Sequence, residues 1–268
     1  MQLVVKVGGR TLEANAESVV QDVASVVKDG HSLVLVHGGG SKVTEYCIKL
    51  GVETKFITHP SGVRSRYTSE DELRVYVMVM AGLINKFLVS RLVKEGVKAF
   101  GVSGADGTLL KARRRERILI IDERGRKRVI RGGYTGEVRE VNTEIINVLL
   151  NSGYLPIIAP IAINESGTLL NVDADQVAFN IAKSVKADKL ILLTDVEGVF
   201  LDGELLKEIR TSELNDLLSK IGRGMNRKLV EASRACEAGI KEVVISNGLT
   251  EHPLRDALMG AGTRITCG

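Results

Sequence analysis

Leu3-Val4-Val5-Lys6-Val7-Gly8-Gly9 and Leu33-Val34-Leu35-Val36-His37-Gly38-Gly39-Gly40 decide the fold between them. Each is a short apolar run that stops at a glycine cluster, and each leads into a stretch of helical periodicity. Val19, Val20, Val23, Val26 and Val27 recur at helix spacing within Ala16–Lys28, and a second helix is predicted to run to Leu50. The rhythm returns downstream. Strands are predicted at Lys98–Val102, Leu155–Ile158, Lys189–Leu193 and Glu242–Ser246, and helices at Ser69–Leu92, Asp173–Lys183 and Asn226–Ala238. Continuous apolar strands alternating with helices predict a mainly parallel sheet covered on both faces. Lys6 is the anomaly. A buried strand holds a lysine only where that lysine is paired or reaches a cleft.

The 268 residues, 44% of them apolar, fill one large α/β domain or two closely packed lobes. A lobe boundary is expected near Asp173–Asp188, dividing the chain into 1–180 and 181–268. A formal charge of +4 is too small to make the whole molecule a nucleic-acid binder. Cys47, Cys236 and Cys267 lie far apart without a C-x-x-C, which argues against a disulfide scaffold or structural zinc and predicts a cytoplasmic setting. The longest apolar runs are strand-sized, so no membrane span and no signal peptide are expected. The stripe Leu73, Val77, Met80, Ile84 and Leu88 on the Ser69–Leu92 helix is expected to face other protein across the two-fold axis of a homodimer.

The common nucleotide signatures are missing. No Gly-Lys dipeptide exists to build a Walker A loop, and no strand leads into G-x-G-x-x-G. Glycines at a strand-to-helix turn let backbone N–H groups approach an anion that the helix N-terminus also favours. Either cluster alone reads as a tight turn. Two clusters near the start of the chain, one beside Lys6, favour an anion site. Asn171-Val172-Asp173-Ala174-Asp175 opens a helix, where its polar groups serve either as N-caps or to orient cations around a phosphoryl group. Leu192–Val199 is a strand ending in a polar turn with Asp195 and Gly198, and Gly222-Arg223-Gly224 precedes a helix carrying Lys228.

In this order the segments resemble the amino acid kinase family, in its N-acetylglutamate kinase branch. The matching motifs are K-x-G-G from Lys6, V-H-G-G-G from Val36, R-Y-T from Arg66, A-G-L-I-N-K ending at Lys86, G-Y-T-G-E-V from Gly133, A-P-I from Ala159, N-x-D-A-D from Asn171 and G-M-x-x-K ending at Lys228. The resemblance implies a three-layer αβα open sandwich and ATP-dependent phosphorylation of a carboxylate to an acyl phosphate. It implies that Lys6 and Lys228 stabilise the transferring phosphoryl group while Asp175 holds both lysines. Gly8 and Gly9 would serve the nucleotide phosphates, with Asp195 and Gly198 bordering the nucleotide. Gly38, Gly39, Arg66 and Asn171 would serve the acceptor. Magnesium would arrive with ATP rather than in a metal cage of the protein's own.

Lys111–Arg131 departs from that branch. It holds ten basic residues against Glu116, Asp122 and Glu123, a net +7 that leaves the rest of the chain at −3. Strands at Ile118–Ile121 and Arg128–Ile130 around Glu123-Arg124-Gly125 predict one projecting β-hairpin carrying the surplus charge. Such arginines either guard an exposed edge or dock an acidic partner, here through Arg113, Arg114 and Arg115. The segment interleaves no aromatics to stack on bases, so nucleic acid is not the expected partner. With Arg64–Thr68, it resembles a sub-branch whose substrate, α-aminoadipate or glutamate, is joined through its amino group to a small acidic LysW-like carrier protein in lysine and arginine biosynthesis. The alternatives are a kinase for free N-acetyl-L-glutamate and, more remotely, a non-catalytic amino-acid sensor.

Overall fold

The computed structural model describes the chain except residues 61, 63, 219, 222 and 268, and except the side chains at 215, 223, 224 and 227. An eight-stranded sheet forms the centre, in the order Glu208–Arg210, Thr263–Thr266, Glu242–Asn247, Lys189–Thr194, β1 (Gln2–Val7), β2 (Ser32–His37), Leu155–Ala159, Ala99–Ser103. Every pairing is parallel except Glu242–Asn247 with Thr263–Thr266. The expected three-layer αβα sandwich is present, and its sheet takes strands from both sides of residue 180.

Strand alternation divides the core in two. Val4, Val34, Val36, Ile158, Leu190 and Leu192 face the Ala174–Ser184 and Arg223–Glu237 helices, meeting Val177, Ile181, Leu229 and Ala232. Leu3, Val5, Val7, Leu33, Leu35 and Ile157 face the opposite layer and meet Val19 and Val23 of α1 (Gly9–Lys28). Parity then assigns the polar intruders. Lys6 shares the side of Val4, toward the Ala174–Ser184 helix. His37 shares the side of Leu35, toward α1 and the 25-residue helix α3 (Glu70–Lys94).

The helix α3 starts from Ser69, whose hydroxyl accepts from Glu72 N–H at 3.2 Å, and passes through a π-helical stretch at Met78–Ile84. By length and composition it could cross a bilayer, but Leu73, Met80, Leu88 and Leu92 are buried in the protein's own core. This corrects the expectation for the apolar stripe. Leu73, Met80 and Leu88 turn inward, while Met78, Leu83 and Phe87 are the residues left exposed.

A second correction concerns the basic segment, which is not one hairpin. Lys111 to Arg114 lie in the strand Leu110–Arg114, part of the sheet Leu169–Asn171, Ile161–Ile163, Leu110–Arg114, Gly136–Val141. Only Arg117–Ile121 and Lys127–Arg131 form the hairpin, and they extend a different sheet by pairing Ile121 with Thr58. Asp122 closes its turn by accepting from Arg124 N–H at 3.0 Å and Arg126 N–H at 2.9 Å. The backbone bond from Arg126, followed by its side chain, holds the Asp122 carboxyl below its ordinary pKa.

The register of β1 on β2 pairs Lys6 with Val36 and Val7 with His37, so both glycine loops leave the sheet side by side. They touch through backbone alone. A Cβ on Gly9 would lie 2.8 Å from both N and Cα of Gly39, and one on Gly38 would lie 2.9 Å from Gly9 N. Gly9→Ala should therefore part the loops, at a cost of roughly 1–3 kcal/mol for overpacking. Urea denaturation checks this: unchanged stability would show that the loops have slack.

Candidate active site

Both helices facing the Lys6 side of the sheet bring a charge to it. Asp173 caps the Ala174–Ser184 helix by accepting from Gln176 N–H at 3.1 Å, which leaves Asp175, in the first turn, aimed at the sheet. Lys6 Nζ lies 2.7 Å from Asp175 Oδ1, and Lys228, from the Arg223–Glu237 helix, donates to Asp175 Oδ2. The sequence alternatives therefore separate: Asp173 is the cap and Asp175 the ion-pair centre. Burial works against charge on Asp175, but the pull of Lys6 and then of Lys228 outweighs it and holds the carboxyl well below the usual range. Two cations on one carboxylate leave one positive charge in excess, available to an anion. Gly222, of the expected glycine pair before Lys228, lies outside the described residues.

Beside this cluster opens a cleft of about 820 Å³. Gly38, Gly39, Arg66 and Asn171 line it, joined by Arg115, Gln176 and Lys183. Arg66 is fixed from three directions. Its guanidinium donates to Glu72 Oε1 at 2.5 Å, to Gly40 O at 2.8 Å and to Thr44 Oγ1 at 2.6 Å, and it lies 4.9 Å from the Phe56 ring centroid. Glu72 is fully buried, and burial pushes its pKa up against the bond to Arg66. Asn171 Nδ2 donates to Thr68 Oγ1 at 2.8 Å, leaving its carbonyl oxygen for another partner. Thr68 itself is buried, and its carbonyl accepts from Tyr134 N–H at 2.7 Å.

Other expected site residues lie elsewhere. Gly8 and Gly9 sit at the end of β1, outside the cleft lining but against Gly39. Asp195 follows the Lys189–Thr194 strand on the far side of β1 and pairs with Arg10 at 3.1 Å. Gly198 is packed against Thr263, where a Cβ would lie 2.5 Å from Oγ1. The Lys6–Asp175–Lys228 cluster thus stands between two regions, the cleft over β2 and the turn at Asp195. The three arginines divide as well. Arg113 pairs with Glu137 at 3.4 Å, Arg114 stacks on Tyr134 at 4.1 Å and donates to Gly133 O, and Arg115 alone reaches the cleft. Among the described residues no three His, Cys, Asp or Glu side chains converge as a metal group.

Two residues outside the sequence expectations brace the loop. His37, fully buried, places Nδ1 3.1 Å from Gly38 O, and its Nε2 lies 3.4 Å from Asn85 Nδ2 on α3. A histidine closing an apolar strand and an asparagine inside an apolar helix were the available signals.

The amino acid kinase family model matches residues 1–247. The chain belongs to the amino acid kinase family. It is 46% identical over 267 residues to a "[LysW]-aminoadipate/[LysW]-glutamate kinase" of Saccharolobus islandicus, covering 99% of this chain and 100% of that one. It is 47% identical over 264 residues to the protein of the same name from Sulfolobus acidocaldarius, covering 98% and 99%. Among solved structures, N-acetylglutamate synthase from Neisseria gonorrhoeae superposes with a TM-score of 0.83 at 24% identity, over 100% of this chain and 59% of that one, a likeness of fold.

The His37 site makes a pH prediction. Burial lowers its pKa from 6.5 to about 4, with Lys86 adding to the effect and the Gly38 bond opposing it. A folded-state value below the unfolded one means that the stabilisation is complete above pH 6.5 and lost on acidification toward 4. The difference corresponds to about 3 kcal/mol. Between pH 7.5 and 4.5, wild type should therefore lose about 2–3 kcal/mol more unfolding free energy than His37→Asn. Equal losses would mean that the ring is not held neutral.

Proposed function

We propose that this chain is an ATP-dependent kinase that phosphorylates the distal carboxylate of α-aminoadipate or glutamate borne by a small acidic LysW-like carrier protein. The observation that carries the chemistry is the Lys6–Asp175–Lys228 cluster between two touching glycine loops. Relatives of that name, matching over nearly the whole length, support the choice of acceptor.

In this reading a distal carboxylate oxygen attacks the γ-phosphorus of ATP as the bond to the ADP oxygen breaks. The attacking oxygen is already anionic, so no general base is required. Asp175, held ionised by both lysines, takes no proton. A loose transition state spreads charge over the equatorial oxygens, which Lys6, Lys228 and the N–H groups of Gly8, Gly9, Gly38 and Gly39 answer. Arg66 and Asn171 read the α-carboxylate. Asp195 and Gly198 border the nucleotide. Both Asp175 oxygens are taken by lysines, so magnesium enters with ATP and screens its phosphates.

Arg115 in the cleft marks where the carrier's end would enter, and a groove of about 560 Å³ lined by Arg114, Arg117 and Arg131 continues along the hairpin. Residues 1–180 supply the acceptor side and 181–268 the nucleotide side. The exposed Met78, Leu83 and Phe87 suit a homodimer face. The setting is cytoplasmic lysine biosynthesis, with arginine biosynthesis added where glutamate is also accepted. Neither nucleic acid nor a membrane takes part.

Three experiments follow from this assignment. Carrier-linked aminoadipate, carrier-linked glutamate and free N-acetylglutamate should be offered side by side. Phosphorylation of the carrier-linked forms is expected, while turnover confined to the free amino acid would move the assignment to an N-acetylglutamate kinase. Lys6→Ala or Lys228→Ala should lower kcat by roughly 10²-fold or more with little change in KM, because both charges act on the transition state. A variant with wild-type kcat would remove that lysine from the mechanism. Arg115→Ser should raise KM for the carrier-linked acceptor alone, and added salt should weaken carrier binding. An unchanged KM at low salt would sink the docking role.

A further inference from the structure

His37 and Asn85 lie beneath the acceptor loop, and their geometry fixes the protons between them. A carbonyl only accepts, so the 3.1 Å contact of His37 Nδ1 with Gly38 O requires the proton on Nδ1. Nε2 then carries the lone pair and faces the amide nitrogen of Asn85 at 3.4 Å. The ring is neutral, as its low pKa requires. Asn85 is itself fully buried. Its Nδ2 also donates to Ile157 O at 2.9 Å, and its Oδ1 accepts from Lys86 Nζ at 3.0 Å, which bonds Gly101 O at 2.8 Å. Room for this network depends on Gly101, where a Cβ would fall 2.0 Å from Asn85 Oδ1.

The consequence lies in the next peptide. Carbonyl and N–H of a trans peptide point in opposite directions. Anchoring Gly38 O on the buried ring therefore turns the N–H of Gly39 away from the core, and Gly39 lines the cleft. Gly39 is also the N-cap of the helix α2 (Gly40–Lys49), where helix geometry leaves N–H groups without intrahelical partners. We propose that His37 and Asn85 are positioning residues that lock the Gly38–Gly39 peptide so that Gly39 N–H faces the phosphoryl group in transfer. The proposal rests on the phosphotransfer assignment above. It adds that a donor at the reacting centre is aimed by a side-chain pair that touches no substrate.

The test compares variants that keep or lose the Nδ1–H donor. In His37→Asn the amide nitrogen takes the place of Nδ1, whereas in His37→Gln it reaches the place of Nε2. On whichever acceptor wild type phosphorylates, His37→Asn should keep kcat within about threefold. His37→Gln and Gly101→Ala should lower it roughly 10- to 100-fold, short of or near the loss of a whole oxyanion donor. KM for ATP and acceptor should stay within about twofold of wild type, because Arg66 and Asn171 are untouched. A purely structural role predicts instead lower melting temperatures with normal kcat in the folded fraction. Wild-type kcat in His37→Gln, or a loss confined to KM, would overturn the proposal. A readout independent of turnover is the Gly39 amide resonance in glycine-labelled protein titrated with a non-hydrolysable ATP analogue. It should shift in wild type and His37→Asn and stay unmoved in His37→Gln. No shift in wild type overturns the positioning role, whereas a shift without turnover on any acceptor overturns only the functional assignment.

Discussion

A lysine in the middle of an apolar strand must be answered by charge, and Asp175 answers it. Strand parity sends Lys6 to the face covered by the Ala174–Ser184 helix, and the cap at Asp173 sets the phase that brings Asp175 to meet it. One carboxylate could neutralise one lysine and leave a closed, inert pair. The arrival of Lys228 on the second oxygen makes the cluster cationic, and a cationic cluster at a strand end adjoining glycine loops invites an anion. The helix packing, the loop contact and the cleft all converge on that point.

The same parity works in reverse one strand over. His37 goes to the opposite face, among α1 and α3, where no ligand reaches, and supports from below the loop whose upper side lines the cleft. The sheet thus carries function on both faces. One face supplies charge directly, and the other supplies the direction in which a backbone group points.

Much of this was written locally in the sequence. Apolar runs ending in glycines identified the strands at Leu3 and Leu33. The order of motifs selected Asp175, Arg66 and Lys228, and the structure gathers them around one centre. What escaped was whatever depends on contacts distant along the chain. Glu72 reads as the third acidic residue in a helix's first turn beside Glu70 and Asp71, and nothing nearby shows that it alone is buried under Arg66. The positive charge of Lys111–Arg131 was legible, but its division was not. Arg114 is claimed by Tyr134, twenty residues on, and the strand that holds it pairs with Gly136–Val141 rather than with the hairpin. The apolar stripe of α3 was found at the right spacing, but periodicity does not distinguish a helix face turned to its own core from one turned to a partner.

The π-helical stretch at Met78–Ile84 imposes one further condition on the chain. A π turn holds one more residue than an α turn, so the residues after it are out of phase with those before it. Met80 and Ile84 lie inside the stretch, where a side chain on Gly39 would collide with both, and Asn85 follows immediately after. Removing a single residue from the stretch would let it relax to regular α-helix, turning everything beyond by about 100°. Asn85 would swing off His37, and Leu88 and Leu92 would leave the core with it. The length of this helix is therefore fixed to the residue, and an insertion or deletion in its middle, however conservative in composition, would miswire the two faces of the sheet at once.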